Sequence, residues 1–153
     1  MKNTIIKIMR LFTGLFLYAL GIVMTINANL GLGPWDVFHQ GLTNIINLTM
    51  GQASIIVAII IVVLDVILGQ AVGWGTVSNM LLIGVFMDIL MLNNLVPEVN
   101  SFLPGMIMLL LGMLIEGYGA FMYLGAGLGA GPRDGLMVAL TKRTNKSVRF
   151  ITR

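Results

Sequence analysis

Two short Gly-Pro-Asp elements contain the residue types in this chain that are best suited to binding chemistry. Each has a glycine, a proline that can start a helix and an aspartate in the first turn, namely Gly33, Pro34 and Asp36 in one element and Gly131, Pro132 and Asp134 in the other. The glycines let the backbone bend, and the free N–H groups of the helix N-terminus point into the bend. We predict a solute or ion pathway at these bends. The alternative is that the aspartates cap their own helices and the glycines serve close packing.

The two aspartates also constrain the kind of ligand. A carboxylate in the first turn already offsets the positive end of the helix dipole, so a site for a bare anion is weakened there unless the acid is protonated or paired. Asp36 and Asp134 therefore favour a cation, a proton or a zwitterion. We expect them to orient the ligand or to take up a proton.

Three further acids, Asp65, Asp88 and Glu116, fall within long apolar stretches. Ionisable groups at membrane depth are costly, and they mark pathways, relays or internal pairs. No Lys or Arg lies between Leu11 and Pro132, so we expect these acids to be protonated, hydrogen-bonded or in contact with water. Asp65 is expected near the membrane interface at a helix end, whereas Asp88 and Glu116 look more central and are second candidates for the pathway.

His39 is the only histidine of the chain, and it lies three residues after Asp36 on the same helix face. One histidine and one aspartate are too few for a metal site, and without a nearby nucleophile they form no catalytic triad. The chain has no cysteine, which excludes disulfides, thiolate metal sites and cysteine nucleophiles. We expect a hydrogen bond between His39 and Asp36, and we predict no metal, no cofactor, no catalytic residue and no enzyme activity.

The composition places these elements in a membrane. Apolar residues make up 58% of the 153 residues and charged residues only 10%, against about 25% charged in soluble domains. A groove for nucleic acid needs Lys and Arg spread over one face with aromatic residues to stack on bases. Here the nine Lys and Arg flank the apolar stretches at the two ends of the chain, as the positive-inside rule predicts. We therefore expect the lipid bilayer, and no nucleic acid, as a partner.

Four stretches are long and apolar enough to cross a bilayer core of about 30 Å, which needs roughly 20 residues of helix. They cover about 11–30, 53–68, 76–96 and 102–124. The first is too long for a signal peptide and lacks a clear cleavage site, so we predict a retained span. The predicted fold is an all-α polytopic membrane protein, one domain over residues 1–153, with four full transmembrane helices and a short half-helix after each Gly-Pro-Asp element.

The stretch from Pro34 to Asn47 leaves two topologies open, because about 21 Å of helix is short for a full crossing. If it is re-entrant or interfacial, four full spans put both basic ends in the cytoplasm. If it crosses, its counterpart after Pro132 crosses too, and the tail from Lys142 again ends inside. The topologies differ most in Arg133, which is cytoplasmic in the first and external in the second. We favour the first.

An internal repeat connects the two elements. Residues 28–43 (ANLGLGPWDVFHQGLT) align without gaps with residues 126–141 (AGLGAGPRDGLMVALT), and the LGxGPxD core is shared. Repeat 1 covers about 11–97, and a partial repeat 2 covers about 109–153. With three crossings between the copies the repeat is inverted, a plan that many secondary transporters use, whereas four crossings make it parallel. We predict an inverted repeat.

These stretches resemble bacterial integral membrane proteins of the YczE/YitT type, and the YczE-like branch in particular. The resemblance is carried by GLGPWDVFHQGL at 31–42, GQASIIVAIIIVVLD at 51–65 and GLGAGPRDGL at 127–136. It implies a bacterial membrane location. Together with the charge bias, we expect the bacterial cytoplasmic (inner) membrane, with the N-terminus and the basic C-terminal tail in the cytoplasm. The resemblance also implies a longer chain, so we expect the last part of the family pattern to be missing here. It transfers no catalytic or binding residue.

We expect a permease-like transporter of a small solute or ion. The alternative, from a different class, is a non-transporting membrane component that regulates or scaffolds another protein through glycine-rich helix faces, for which the candidates are Gly112, Gly117, Gly119 and Gly125. A polar cavity that reaches either surface would favour transport, and a dry, fully packed element would favour the scaffold. An incomplete repeat also leaves apolar surface that lipid or another copy must cover, so a homo-oligomer is a further expectation.

Overall fold

All regular secondary structure is helical in the part of the chain that the computed structural model describes, residues 2–144 and 146–151. The helices are, in chain order, α1 (Lys2–Asn27), α2 (Pro34–Ile46), α3 (Met50–Ile67), α4 (Trp74–Leu92), α5 (Phe102–Leu124), α6 (Pro132–Thr144) and α7 (Val148–Ile151). Four of them, α1 from Thr4 onwards, α3, α4 and α5, are long and apolar enough to cross a membrane. The prediction of an all-α polytopic fold with four full spans is confirmed.

The two short helices α2 and α6 follow the Gly-Pro-Asp elements, as predicted. Each has 13 residues, which is about 20 Å of helix and less than the thickness of a bilayer core. Gly33 is extended (φ −61°, ψ 153°) and leads into Pro34 at the first helical position, where the fixed φ of proline is suited to the helix. Asn47 ends α2 in the left-handed conformation (φ 43°), which asparagine tolerates better than most residues.

Glycines allow α1 and α5 to pack with their backbones in close approach. A Cβ added to Gly14 would lie 3.0 Å from the Gly119 oxygen, and one added to Gly21 would lie 2.7 Å from the Gly112 oxygen, so the two helices run antiparallel. Gly112 and Gly119 thus pack as predicted. Gly117 differs, because a Cβ there would meet nothing within 4 Å; it faces away from the interface.

One end of the helix bundle contains the end of α1, the start of α3 and the end of α4. Asn27 Nδ2 donates to the Val96 oxygen (2.8 Å), and Val99 N donates to the Asn27 oxygen (2.9 Å), which fastens the α4–α5 loop to α1. Gly51 of α3 contacts Asp88 near the end of α4. We call this the Asn27 end of the bundle.

The chain turns back into the bundle after α5. Arg10 contacts the first residue of the α5–α6 loop, at the end of the bundle opposite Asn27. Thr76 Oγ1 donates to the Ala130 oxygen (2.8 Å), so the loop runs along the start of α4. Gly131 then lies beside Asn79, one turn further along α4. The start of α6 therefore lies inside the bundle, and it is reached from what we call the Arg10 end.

The short helices leave the bundle at opposite ends. In α6, Gly135 packs on Asp65 close to the end of α3, so α6 returns to the Arg10 end with Lys142 and Arg143 in its last turn. In contrast, α2 leads through a short turn into the start of α3, at the Asn27 end. Both short helices are thus re-entrant in geometry, and both basic segments of the chain lie at the Arg10 end.

Substituting Gly21 by alanine tests the close approach of α1 and α5. The new Cβ would meet the Glu116 backbone nitrogen at 2.6 Å, and this atom cannot move unless α5 shifts. Such overpacking costs about 1–3 kcal/mol, so we expect G21A to lower the thermal unfolding midpoint in detergent, followed by circular dichroism. Gly117→Ala is the matched control, since its Cβ would meet nothing and alanine favours a helix. Equal midpoints for the two variants would contradict the glycine interface.

Candidate functional site

The Arg133 side chain connects the start of α6 to the start of α2. Its guanidinium lies over the ring of Trp35, 4.9 Å from the ring centroid, and its Nη2 lies 3.3 Å from His39 Nε2. The sequence analysis considered only the side of the membrane on which Arg133 lies, and it did not predict these contacts with α2. The residue lies between the half-helices because the α5–α6 loop carries the start of α6 inward before the helix begins.

His39 is fully buried and contributes to this contact with one ring nitrogen only. A guanidinium can only donate, so His39 Nε2 accepts from Arg133 and the neutral ring carries its hydrogen on Nδ1. Nδ1 lies 3.8 Å from Asp36 Oδ1, too far for a hydrogen bond, and has no partner among the described residues. The predicted His39–Asp36 hydrogen bond is therefore wrong, although the two side chains are neighbours.

The two motif aspartates are held in different ways. Asp134 Oδ2 accepts a hydrogen bond of 2.7 Å from the Tyr123 hydroxyl of α5. Asp36 makes no capping bond to its own helix, and its carboxyl group is turned toward Gly33 and His39. Among the described residues, neither aspartate accepts a hydrogen bond from a backbone N–H group, as the capping alternative would require.

A cavity of about 890 Å³ opens between the starts of α2 and α6 and the α1–α5 pair. Its volume is within the range of small-molecule sites. Five of the residues predicted for the pathway line it, namely Gly33, Pro34, Asp36, Glu116 and Asp134. Tyr18, Thr25 and Arg133 add to its polar lining, and the Tyr18 hydroxyl lies next to the Glu116 carboxyl group across the α1–α5 interface.

Gly131 and Pro132 line a second, smaller cavity of about 40 Å³ on the other side of Arg133 and Asp134. Asn79 and Tyr123 also face it. The space is large enough for water-sized molecules only. Tyr18, Arg133 and Asp134 line both cavities, the large one beside α2 and the small one beside α4.

Asp88 lies apart from both cavities and has a structural explanation. Its Oδ2 accepts from the Thr49 hydroxyl (2.6 Å), and its Oδ1 accepts from the Gly51 N–H (2.9 Å). Thr49 is the N-cap of α3 and also accepts from Gln52 N. Asp88 therefore fastens the N-terminus of α3 to α4, and the structure does not bring this predicted pathway residue to the site.

Asp65 is near a helix end, as expected, but protein covers it. Only 2% of the residue is exposed, and it packs against Gly135 of α6. Its Oδ1 has no hydrogen-bond partner among the described residues. Within that same part of the chain, no group of three His, Asp or Glu side chains is arranged to hold a metal ion.

Sequence reasoning did not predict that Arg133, Trp35 and Tyr18 contribute to the site. A signal for two of them was present, because Trp35 and Arg133 occupy matching places in the repeat alignment. Residues at matching places meet when two copies are related by a two-fold axis and the residues lie close to that axis. Tyr18 had no such signal, since a tyrosine within an apolar span is commonly a packing residue.

Comparison with known proteins supports the resemblance stated from the motifs. A family model matches residues 5–152, almost the whole chain. The chain belongs to the family of unknown function DUF6198. It is 40% identical over 144 residues to the uncharacterised membrane protein YczE of Bacillus subtilis, a match that covers 92% of this chain and 65% of YczE. The predicted relation to YczE is thereby confirmed, as is a membrane location.

Further relatives are more distant. An uncharacterised protein of Haemophilus influenzae is 31% identical over 142 residues, covering 90% of this chain and 64% of that protein, and uncharacterised YyaS of Bacillus subtilis is 26% identical over 140 residues. The chain thus spans slightly less than two thirds of the length of the first two relatives. No solved structure matches the chain significantly.

The two isosteric variants Asp88→Asn and Asp36→Asn distinguish the structural carboxylate from the cavity carboxylate. Removing the charge of Asp88 weakens two hydrogen bonds to α3, which we expect to cost about 1–2 kcal/mol of unfolding free energy. Asp36 makes no hydrogen bond in the described residues, so D36N should leave the unfolding midpoint close to that of the parent. The unfolding midpoints of D88N, D36N and the parent are measured by heating the three proteins in the same detergent. A larger loss in D36N than in D88N would contradict these roles.

Proposed function

We propose that this protein is a permease-like transporter that moves a small solute or ion through the large cavity between the starts of α2 and α6. One observation carries the proposal: two re-entrant half-helices from opposite ends of the bundle begin at one cavity, and Asp36, Asp134 and Arg133 line it. In secondary transporters, discontinuous helices that begin near the membrane midplane commonly form the substrate site. The proposed activity is passage of a ligand and includes no covalent step.

An inverted repeat would explain how the cavity opens to each side in turn. The alignment pairs Gly14 with Gly112 and Gly21 with Gly119. In the structure Gly14 contacts Gly119 and Gly21 contacts Gly112, so each glycine meets the counterpart of the other. Reciprocal contacts of this kind are what a two-fold axis in the membrane plane produces. Trp35 and Arg133, which also occupy matching places in the alignment, contact each other, and this contact supports the same two-fold axis.

The cavity residues have separate roles in this proposal. Asp36 and Asp134 orient the ligand or accept a proton, and Glu116 with its neighbour Tyr18 forms the opposite wall. Arg133 supplies the positive charge of the cavity. Asp88 has no role in the ligand pathway in this proposal. Its two hydrogen bonds stabilise the contact between α3 and α4.

The orientation in the membrane follows from the basic residues. Lys7 and Arg10 of α1 and Lys142 and Arg143 of α6 all belong to the Arg10 end of the bundle. By the positive-inside rule we assign this end, with the N-terminus and the basic C-terminal tail, to the cytoplasm. The Asn27 end then faces outward.

A non-transporting scaffold is the second candidate, and the exposure of α5 favours it. Only 17% of the apolar window of α5 is buried, against 39% in α1. Large side chains such as Leu110, Leu114 and Phe121 are exposed on α5, and lipid, a second copy or a regulated partner can cover them. In a scaffold the cavity beside α5 would be closed to water in the membrane.

Cysteine accessibility on α5 distinguishes the two candidates. Met113 lines the cavity and the adjacent Leu114 does not, although both are well exposed in the structure, at 58% and 71%. Thiol reagents attack the thiolate, which forms in water and not in lipid. We expect Met113→Cys to react with a cationic, membrane-impermeant methanethiosulfonate at least about ten times faster than Leu114→Cys in proteoliposomes. Equally slow reaction of both cysteines would favour the scaffold.

A further inference from the structure

The cavity presents charges of both signs that are held apart. Arg133, Asp36, Glu116 and Asp134 all line it. In the described part of the chain, no carboxylate oxygen lies within 4.0 Å of the Arg133 guanidinium; the one contact of that kind joins His39 to Asp36. Opposite charges at membrane depth normally pair directly, because an unpaired charge there is costly. The separation therefore needs an explanation.

Specific contacts maintain this separation. The ring of Trp35 and the Nε2 atom of His39 hold the guanidinium on the α2 side. The Tyr123 hydroxyl holds Asp134 on the α5 side. Aromatic and neutral partners thus occupy positions that direct ion pairs would otherwise take. The cavity keeps one positive pole and a set of negative poles, and both remain available to a molecule inside it.

We infer that this cavity binds a small zwitterion that carries both a carboxylate and an ammonium group, an inference that rests on the proposed transport function. A simple anion would meet the guanidinium but also three carboxylates, and a simple cation would meet the carboxylates but also the guanidinium. A zwitterion places its carboxylate on Arg133, with the paired hydrogen bonds that a guanidinium offers. Its ammonium group then lies toward Asp36 and Glu116.

His39 helps to keep the charges apart and does not itself reach the ligand. The residue is fully buried, and the cavity is lined by its neighbours Trp35 and Asp36. Its Nε2 accepts from Arg133, and its Nδ1 lies 3.8 Å from Asp36 Oδ1. The neutral ring thus lies between the guanidinium and the Asp36 carboxyl group.

Matched sets of compounds test the inference. Each set contains an amino acid, the amine formed by removing its carboxyl group and the acid formed by removing its amino group: alanine, ethylamine and propionate; leucine, isoamylamine and 4-methylvalerate; phenylalanine, phenethylamine and 3-phenylpropionate. The full chain in lipid nanodiscs is unfolded by heat with each compound at millimolar concentration, because a ligand of the folded state raises the midpoint. We expect at least one amino acid to raise it, while the matching amine and acid do not.

Variants locate the effect in the cavity. Arg133→Gln should weaken binding of the amino acid about tenfold or more, as expected for loss of a charge-assisted hydrogen bond. Arg143→Gln is the control, because it removes the same charge from an exposed position in the last turn of α6. Should R133Q fail to fold, Glu116→Gln replaces it and removes a partner of the ammonium group, with the same expected direction.

The outcomes separate this inference from the proposed function. If an amine or an acid stabilises the protein as well as its amino acid does, or if R143Q weakens binding as much as R133Q, the zwitterion site is refuted. If no compound stabilises the protein, the site is refuted as well. In each case, fast reaction of the cysteine at position 113 would still support the proposed transport function. Slow reaction would refute the zwitterion site and the transport function together.

Discussion

The polar backbone inside a bilayer must find its hydrogen-bond partners within the protein, and this constraint governs the structure. Two irregular segments, residues 28–33 and 125–131, interrupt the helical path, and each leads to a proline that restarts a helix. The second segment is satisfied by α4, since Gly75 N donates to the Leu128 oxygen and Thr76 Oγ1 donates to the Ala130 oxygen. Irregular backbone at this depth is tolerated only beside protein or a wet cavity, and the cavity lies where these segments end.

The glycine interface and the charged cavity depend on each other. Because α1 and α5 approach so closely at Gly14, Gly21, Gly112 and Gly119, α5 is held by α1, and α1 also packs against α4. Tyr18 and Glu116 belong to the α1–α5 pair and form one wall of the cavity, while α2 and α6 bring Trp35 and Arg133 to the other. Small residues at a helix contact let the two backbones approach closely, and this approach places Tyr18 beside Glu116.

The fold could largely be predicted from the sequence, and the site only in part. Span length, apolar content and the Gly-Pro-Asp pattern are local signals, so the four spans and the two half-helices were predicted correctly, and five pathway residues meet at one cavity. The contact of Arg133 with Trp35 and His39 was not predicted, because positive-inside reasoning considers only the side of the membrane on which a basic residue lies. The place of Asp88 apart from the cavity was not predicted either, because a span sequence does not reveal that Thr49 and Gly51 lie beside it. Both concern contacts between residues distant in sequence.

The most direct test of the account is the side of the membrane on which each half-helix ends. Single cysteines at Asn44, in the last turn of α2, and at Thr144, the last residue of α6, are both exposed in an otherwise cysteine-free chain. Intact cells are treated with a membrane-impermeant maleimide, and permeabilised cells show that each cysteine can react. Re-entry from opposite faces predicts labelling at position 44 and none at position 144 until the cells are permeabilised. Protection of both positions in intact cells would mean that α2 crosses the membrane, and it would contradict the central claim.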